Sequence, residues 1–249
     1  MSFRRFLYGS LVGVAGITPL LWAQGTNSGT PDRGRTAANA ASDVDKVERV
    51  LAARRDYQVA LEQLRLHYMS AGDLERARWA EEELRQFHRI NKQAYRLELD
   101  VPPPTLTASK NFPEANELYR RAMVYKDKGW TGTDYLDNQR RAELLFQQIL
   151  TNYPESDKID DAAFQLGDIY ESRAYKQYRR AAWYFERCFQ WNNNTQFDAR
   201  LRAARLYDKY LQERTRAIEL YREITTHETD PKRIAEAQKR LAELSSKKN

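Results

Sequence analysis

The chain has 249 residues and a formal net charge of +6 at pH 7, and charged residues make up 31% of it. That charged fraction is too high for an integral membrane protein, while 41% hydrophobic residues is too high for a disordered chain. With 10 glycines and 8 prolines, a β-sandwich with many turns is not expected. The single cysteine excludes a disulfide framework within the chain.

The first 23 residues have the layout of a secretory signal peptide. Arg4 and Arg5 form a positive start, residues 6–22 are apolar, and Ala23 is a small residue before a possible cleavage site. The apolar run contains glycines and a proline, and it is shorter than the roughly 20 residues that a spanning helix needs. We therefore predict export to the periplasm or cell envelope of a bacterial-type cell. The alternative is an inner-membrane anchor formed by residues 6–22.

Residues 24–42 differ in composition from the rest of the chain. They are rich in Gly, Ser, Thr, Asn and Ala without a sustained apolar period, and are predicted to be a flexible linker. The folded part is expected to start near Asp43, where apolar residues begin to recur at three- and four-residue steps, as on one face of a helix.

Residues 43–100 are predicted to form an N-terminal helical hairpin. Gly72 and Asp73 interrupt the helical pattern, and a second helix is expected from Leu74 to Leu99. Residues 101–113 are predicted to be a Pro-rich connector, because proline lacks the amide that a helix needs.

Residues 114–249 are predicted to form further helix pairs and a C-terminal capping helix. The expected helices cover residues 114–128, 139–152, 158–172, 179–191, 197–210 and 214–226. Residues 130–138 are expected to be a loop of extra residues within one pair. The last helix should begin with Asp230 as its N-cap and Pro231 in its first turn. No strand is predicted.

Internal repeats relate these helix pairs. The second helix of each pair carries an alanine followed four residues later by an aromatic residue, at Ala142/Phe146, Ala181/Phe185 and Ala217/Tyr221. The first helix carries a small residue followed three residues later by tyrosine, at Ala122/Tyr125, Gly167/Tyr170 and Ala204/Tyr207. Two helices can cross closely where a side chain is small, and a neighbouring aromatic ring fills the gap beside the crossing. These positions are therefore predicted to be core.

Leu166-Gly167 followed by Tyr170, and Ala142 followed by Phe146 and Pro154, match two parts of the tetratricopeptide repeat pattern. The sequence resembles that family as a degenerate member, because no tryptophan occupies the opening position of any unit. The resemblance implies an all-α, right-handed solenoid of stacked antiparallel helix pairs. It would contain about three or four repeats and the capping helix.

In this family, ligands usually lie along the concave face formed by the first helices. The resemblance therefore implies that a protein or peptide partner binds there. The residues expected on that face are Tyr119, Met123, Lys126, Phe164, Asp168, Glu171, Leu201, Arg205 and Asp208. The alternative is that Tyr119, Phe164 and Leu201 pack against adjacent helices.

No catalytic, cofactor-binding or metal-binding residue is predicted. Cys188 occupies a small core position of the repeat and is expected to be buried, and the three histidines are scattered along the chain. We therefore expect a non-catalytic protein–protein adaptor or scaffold in the cell envelope, with no cofactor. One alternative is a membrane-anchored structural subunit of an envelope complex. Another is a polyanion-binding module that uses Lys176, Arg179, Arg180, Arg202 and Arg205. Nucleic acid is not expected, because the excess of positive charge is mild.

Overall fold

A computed structural model describes residues 33–90, 92–128 and 134–246, with side chains from residue 43 onward. Within these ranges the chain forms helices and no strand, and an isolated parallel bridge joins Lys110 to Ser156. The all-α prediction is therefore confirmed. No helix in the described ranges has the length and apolar character needed to cross a membrane. The predicted signal peptide and the start of the predicted linker lie outside the described residues.

The helices follow the predicted order. They are α1 (Arg33–Ser70), α2 (Leu74–Arg89), α3 (Leu97–Asp100), α4 (Pro113–Lys126), α5 (Tyr135–Asn152), α6 (Ile159–Glu171), α7 (Tyr178–Trp191), α8 (Ala199–Leu206), α9 (Arg214–His227) and α10 (Pro231–Ser246). A π-helical turn, Tyr207–Leu211, continues α8. The described residues from Ser42 onward belong to one compact unit.

The N-terminal part differs from the prediction in two places. Helix α1 begins at Arg33, so residues 33–42 are helical where a linker was expected; alanine, the best helix former, recurs throughout this stretch. Helix α2 ends at Arg89 and does not continue to Leu99. The Lys92 ammonium bonds the Phe87 carbonyl at 3.1 Å, and Arg140 of α5 bonds the Ile90 carbonyl at 2.9 Å. These side chains satisfy the carbonyls at the end of the helix.

Two predicted helix starts are confirmed by their capping geometry. Gly72 has a φ of +75°, a conformation that favours glycine, and the Asp73 carboxylate accepts a hydrogen bond from the Arg76 amide at 3.1 Å. At the last helix, the Asp230 carboxylate accepts a bond of 2.8 Å from the Lys232 amide, with Pro231 between them.

The predicted start of α5 and the predicted end of α8 differ from the observed ones. Helix α5 begins at Tyr135, so the last residues of the expected loop 130–138 are helical, and Asp137 is held there by the guanidinium of Arg89 at 3.0 and 2.8 Å. Helix α8 ends in the π-helical turn, which Gln212 closes with a φ of +57°. The remaining predicted bounds differ from the observed ones by a residue or two.

From α4 to α10 each helix packs on the next one along the chain, and the core lies between them. The aligned repeat positions form much of this core. Completely buried members include Ala122, Ala142, Phe146, Tyr170, Ala181, Phe185, Ala204, Ala217 and Tyr221. The residues singled out by their spacing are therefore core residues, as predicted, except Tyr125, which is only partly buried.

Helices α6 and α7 cross closely at Gly167 of α6. A Cβ atom at this position would lie 2.6 Å from Cε1 of the Phe185 ring on α7, well inside van der Waals contact. The backbone there has no positive φ, so the glycine is required by the neighbouring ring and not by backbone conformation. The ring itself is completely buried and packs against Phe164 at 5.4 Å between centroids.

The connector between α3 and α4 runs along α7 and is held by its side chains. Arg187 donates to the Pro102 carbonyl at 2.6 Å, and the Trp191 indole donates to the Pro103 carbonyl at 2.9 Å. Lys110 pairs through its backbone with Glu155 and Asp157 in the α5–α6 turn. These hydrogen bonds satisfy backbone carbonyl and amide groups of the connector, which have no partner within a helix or sheet.

Gly167→Ala is expected to destabilise the protein by about 1–3 kcal/mol, because the new methyl group overlaps the Phe185 ring. Helix propensity alone would make the alanine variant more stable by about 1 kcal/mol. A lower free energy of unfolding would therefore show that the methyl group overlaps the ring. Urea unfolding measures it. A double-mutant cycle with Phe185→Leu should show that the smaller side chain relieves part of the cost. Additive effects, or a stabilising Gly167→Ala, would contradict the assigned contact.

Candidate functional site

The apolar residues expected on the binding face pack into the core. The Tyr119 ring lies 5.5 Å from that of Phe146, edge to face. Phe164 stacks on Phe197 at 4.1 Å, and Leu201 is 4% exposed. Met123 also packs against the core cluster. These apolar side chains therefore pack against adjacent helices. Because Tyr119, Met123 and Phe164 are only partly buried, their contact with a partner stays a prediction.

The charged residues expected on the same face meet between alternate helices. Lys126 of α4 contacts the Asp168 carboxylate of α6 at 2.6 Å, and its ammonium also donates to the Gln165 amide oxygen at 2.6 Å. On the other side of α6, Arg202 of α8 contacts Asp168 at 2.7 Å and Glu171 at 2.8 Å. The carboxylate of Asp168 thus links α4 to α8.

The series continues from α8 to α10. Arg205 donates to Glu236 of α10 at 2.7 Å through Nε and makes a second bond through Nη2, the bidentate geometry that favours arginine over lysine. Asp208, in the π-helical turn, accepts from Nε of Arg240 at 2.9 Å and from the Tyr221 hydroxyl at 3.3 Å. The turn that ends α8 irregularly therefore places a carboxylate against α10.

We call this set of linked side chains the charge row. It comprises Lys126, Asp168, Glu171, Arg202, Arg205, Asp208, Glu236 and Arg240. Both signs alternate along it, and several members keep substantial contact with solvent: the side chains of Asp168, Arg205 and Glu236 are each 35% exposed. The row can therefore contact a partner without a change in the helix packing beneath it.

The pKa shifts agree with a permanently charged row. Burial by itself raises the pKa of Asp168, but Lys126 and Arg202 outweigh it and the net pKa is lowered. The hydrogen bond from Arg205 lowers the pKa of Glu236. The pKa of Tyr119 is raised to about 12, mainly by burial, so its hydroxyl stays neutral. These carboxylates are ionised at neutral pH.

The arginines of the proposed polyanion surface lie beside carboxylates. Arg179 contacts Glu213, Arg180 contacts Asp100 at 2.6 Å, and Arg202 and Arg205 belong to the charge row. Arg180 is also buried. Arg179, Arg202 and Arg205 thus have acidic neighbours, while Lys176 is exposed. Polyanion binding by these side chains stays a prediction.

Cys188 and the histidines are side chains of the types that can act in catalysis or bind metals. Cys188 is completely buried, as expected, and burial raises the pKa of its thiol, which disfavours the reactive thiolate. His88 is largely buried, and burial with neighbouring cations lowers its pKa to about 4. In the portions of the chain that are described, no group of three or more His, Cys, Asp or Glu side chains could hold a metal ion.

Several residues of the charge row were missed by the sequence reasoning. Glu236 and Arg240 are absent from the predicted binding face, and Arg202 is predicted for the polyanion surface instead. The repeat alignment compares positions within helices, whereas these contacts join helices about thirty residues apart. A usable signal was the row of charges at three- and four-residue steps on α10, which was interpreted as the exposed face of a cap.

The chain matches no protein-family model, and no curated protein matches its sequence. The resemblance to tetratricopeptide repeats therefore depends on the residues quoted above, and the function has to be argued from the site.

Proposed function

We propose that this protein is a non-catalytic adaptor of the cell envelope, which binds a protein or peptide partner along a tetratricopeptide-like solenoid. The observation that carries the proposal is the charge row. Its ion pairs join α4 to α6, α6 to α8 and α8 to α10, which requires these alternate helices to be neighbours. In a right-handed solenoid such helices line the concave face.

The side chains of the charge row indicate what kind of partner segment would bind there. The apolar side chains of this face pack against neighbouring helices and are at most partly exposed, whereas the charged side chains offer both signs to a partner. A segment with alternating charges could replace some internal ion pairs with pairs of its own, and the contacts would also fix its register. We therefore infer that the partner presents a charged helix or extended peptide and not an apolar anchor.

The test exchanges the two charges of one ion pair. Arg205→Glu with Glu236→Arg keeps an ion pair between α8 and α10 but reverses the charges shown to a partner. Each single change breaks a half-exposed pair and is expected to cost about 1 kcal/mol or less, so the fold should be retained. The control is Arg179→Glu with Glu213→Arg, which exchanges a pair between α7 and the start of α9, away from the charge row.

Tagged wild-type and exchanged proteins are then used to capture partners from native cell envelopes. We expect the wild type and the α7–α9 control to capture the same defined protein, and the Arg205/Glu236 exchange to lose it while keeping wild-type unfolding behaviour. Added salt should weaken the capture, because the contacts are ionic. Equal capture by both exchanged proteins would place the partner elsewhere. Tyr119→Ala and Phe164→Ala are unsuitable here, because both changes would disturb the core.

The proposed location has its own test. If residues 1–23 are a cleaved signal peptide, the intact mass of the protein isolated from its native cell will lack them. Finding these residues retained in a membrane fraction would instead support the anchored structural subunit. Finding the full-length chain in the cytosol would contradict export.

A further inference from the structure

A second surface feature lies apart from the charge row, between the N-terminal hairpin and the helices that follow. It is a cavity of about 170 Å³ bounded by α1, the end of α2, the connector, α5 and α7. Its Lys and Arg side chains are Arg54, Arg55, Lys92, Arg140 and Arg180, and its acidic ones are Asp100 and Glu143. They come from elements far apart in sequence, so the cavity exists only when the hairpin is packed in place.

The acidic groups of the cavity are already engaged. The carboxylate of Asp100 lies 2.6 Å from Nε of Arg180. The carboxylate of Glu143 accepts hydrogen bonds from the hydroxyls of Tyr170 at 2.7 Å and Tyr175 at 2.8 Å. Arg180 and two tyrosines thus contact these two carboxylates.

Arg54, Lys92 and Arg140 donate hydrogen bonds only to neutral acceptors among the described residues. Arg140 donates to the Ile90 carbonyl at 2.9 Å, Lys92 to the Phe87 carbonyl at 3.1 Å, and Arg54 to the Gln93 carbonyl at 3.5 Å. No carboxylate in the described ranges forms an ion pair with any of the three. Arg140 is 8% exposed, and its buried Nε has no hydrogen-bond partner there.

This arrangement is electrostatically incomplete. Placing several cations around one space that holds fewer carboxylates is unfavourable, and Arg140, the buried one of the three, has no carboxylate partner among the described residues. The pKa of Lys92 is lowered to about 8, mainly by burial. Arg140, Arg54 and Arg180 lower it further, and the negative charge of Glu143 raises it. An anion in the cavity would relieve this repulsion and satisfy unused guanidinium donors.

We propose that the cavity binds a phosphate-class oxyanion, held by Arg54, Lys92 and Arg140. A planar carboxylate is satisfied by one guanidinium fork, whereas a tetrahedral oxyanion accepts hydrogen bonds from several directions. The three cations are placed on α1, after α2 and on α5, so they approach from different sides. The volume suits a small ion or a single phosphoryl group. Binding would connect the hairpin to α5.

The experiment measures the binding of inorganic phosphate to the full chain by calorimetry, and thermal unfolding with and without millimolar phosphate at constant ionic strength. We expect saturable binding and a raised melting temperature, since a ligand that binds only the folded state stabilises it. Chloride at the same ionic strength should have little effect. O-phosphoserine is tested in parallel: tighter binding than phosphate indicates a phosphoryl group on a larger ligand, weaker binding indicates the free ion, and both support the site.

Arg140→Gln and Lys92→Gln should each weaken phosphate binding by about tenfold or more, because each removes a charge-assisted hydrogen bond. The matched control is Arg179→Gln, an exposed arginine of α7 paired with Glu213, which should bind phosphate like the wild type. Lys92→Gln removes a partly buried cation together with its bond to the Phe87 carbonyl, a bond that the glutamine amide can also donate, so without phosphate it should unfold near the wild-type temperature.

Three results would overturn the proposal. One is the absence of binding by the wild type to either phosphate or O-phosphoserine. Another is wild-type affinity in both Arg140→Gln and Lys92→Gln. The third is equal stabilisation by chloride, which would reduce the effect to ionic strength.

Discussion

The close crossing of α6 and α7 at Gly167 is the contact on which the rest of the structure depends. Because the Phe185 ring occupies the space of a side chain at position 167, the two helices approach closely and the ring is completely buried. The same ring supports Phe164 on α6, and the Arg202 guanidinium lies 4.7 Å from its centroid. A packing contact in the core thereby positions an arginine of the charge row, which is how the helix stack and the proposed binding surface are connected.

The two classes of side chain on the α4, α6 and α8 face therefore have different roles. Apolar ones such as Tyr119 and Phe164 stabilise the stack and expose only part of their surface. Charged ones such as Asp168 and Arg205 lie above that layer, where half-exposed ion pairs contribute little to stability but set a pattern of charge. Substitutions in the first class should act through folding, and substitutions in the second through recognition.

The sequence predicts the helices and the core because both depend on local spacing: small and aromatic residues three or four apart indicate Gly167, Phe185 and Tyr170 as core positions. It does not predict where α2 ends, because that depends on Arg140, fifty residues later, which bonds the Ile90 carbonyl. The cavity beside the hairpin was missed for the same reason. Lys92 and Arg54 carry no motif, and only the tertiary fold brings them to the same space.

Hydroxyl-radical footprinting of the folded chain tests the central claim, that the aromatic residues of the binding face belong to the core. Oxidation rates are compared with those of the unfolded chain, so that each residue is its own reference. We expect Tyr119 and Phe164 to be strongly protected, while Trp79 and Tyr57 on the hairpin, which are 61% and 42% exposed, react readily. Oxidation of Tyr119 and Phe164 at rates like that of Trp79 would show an open apolar groove and would contradict the account.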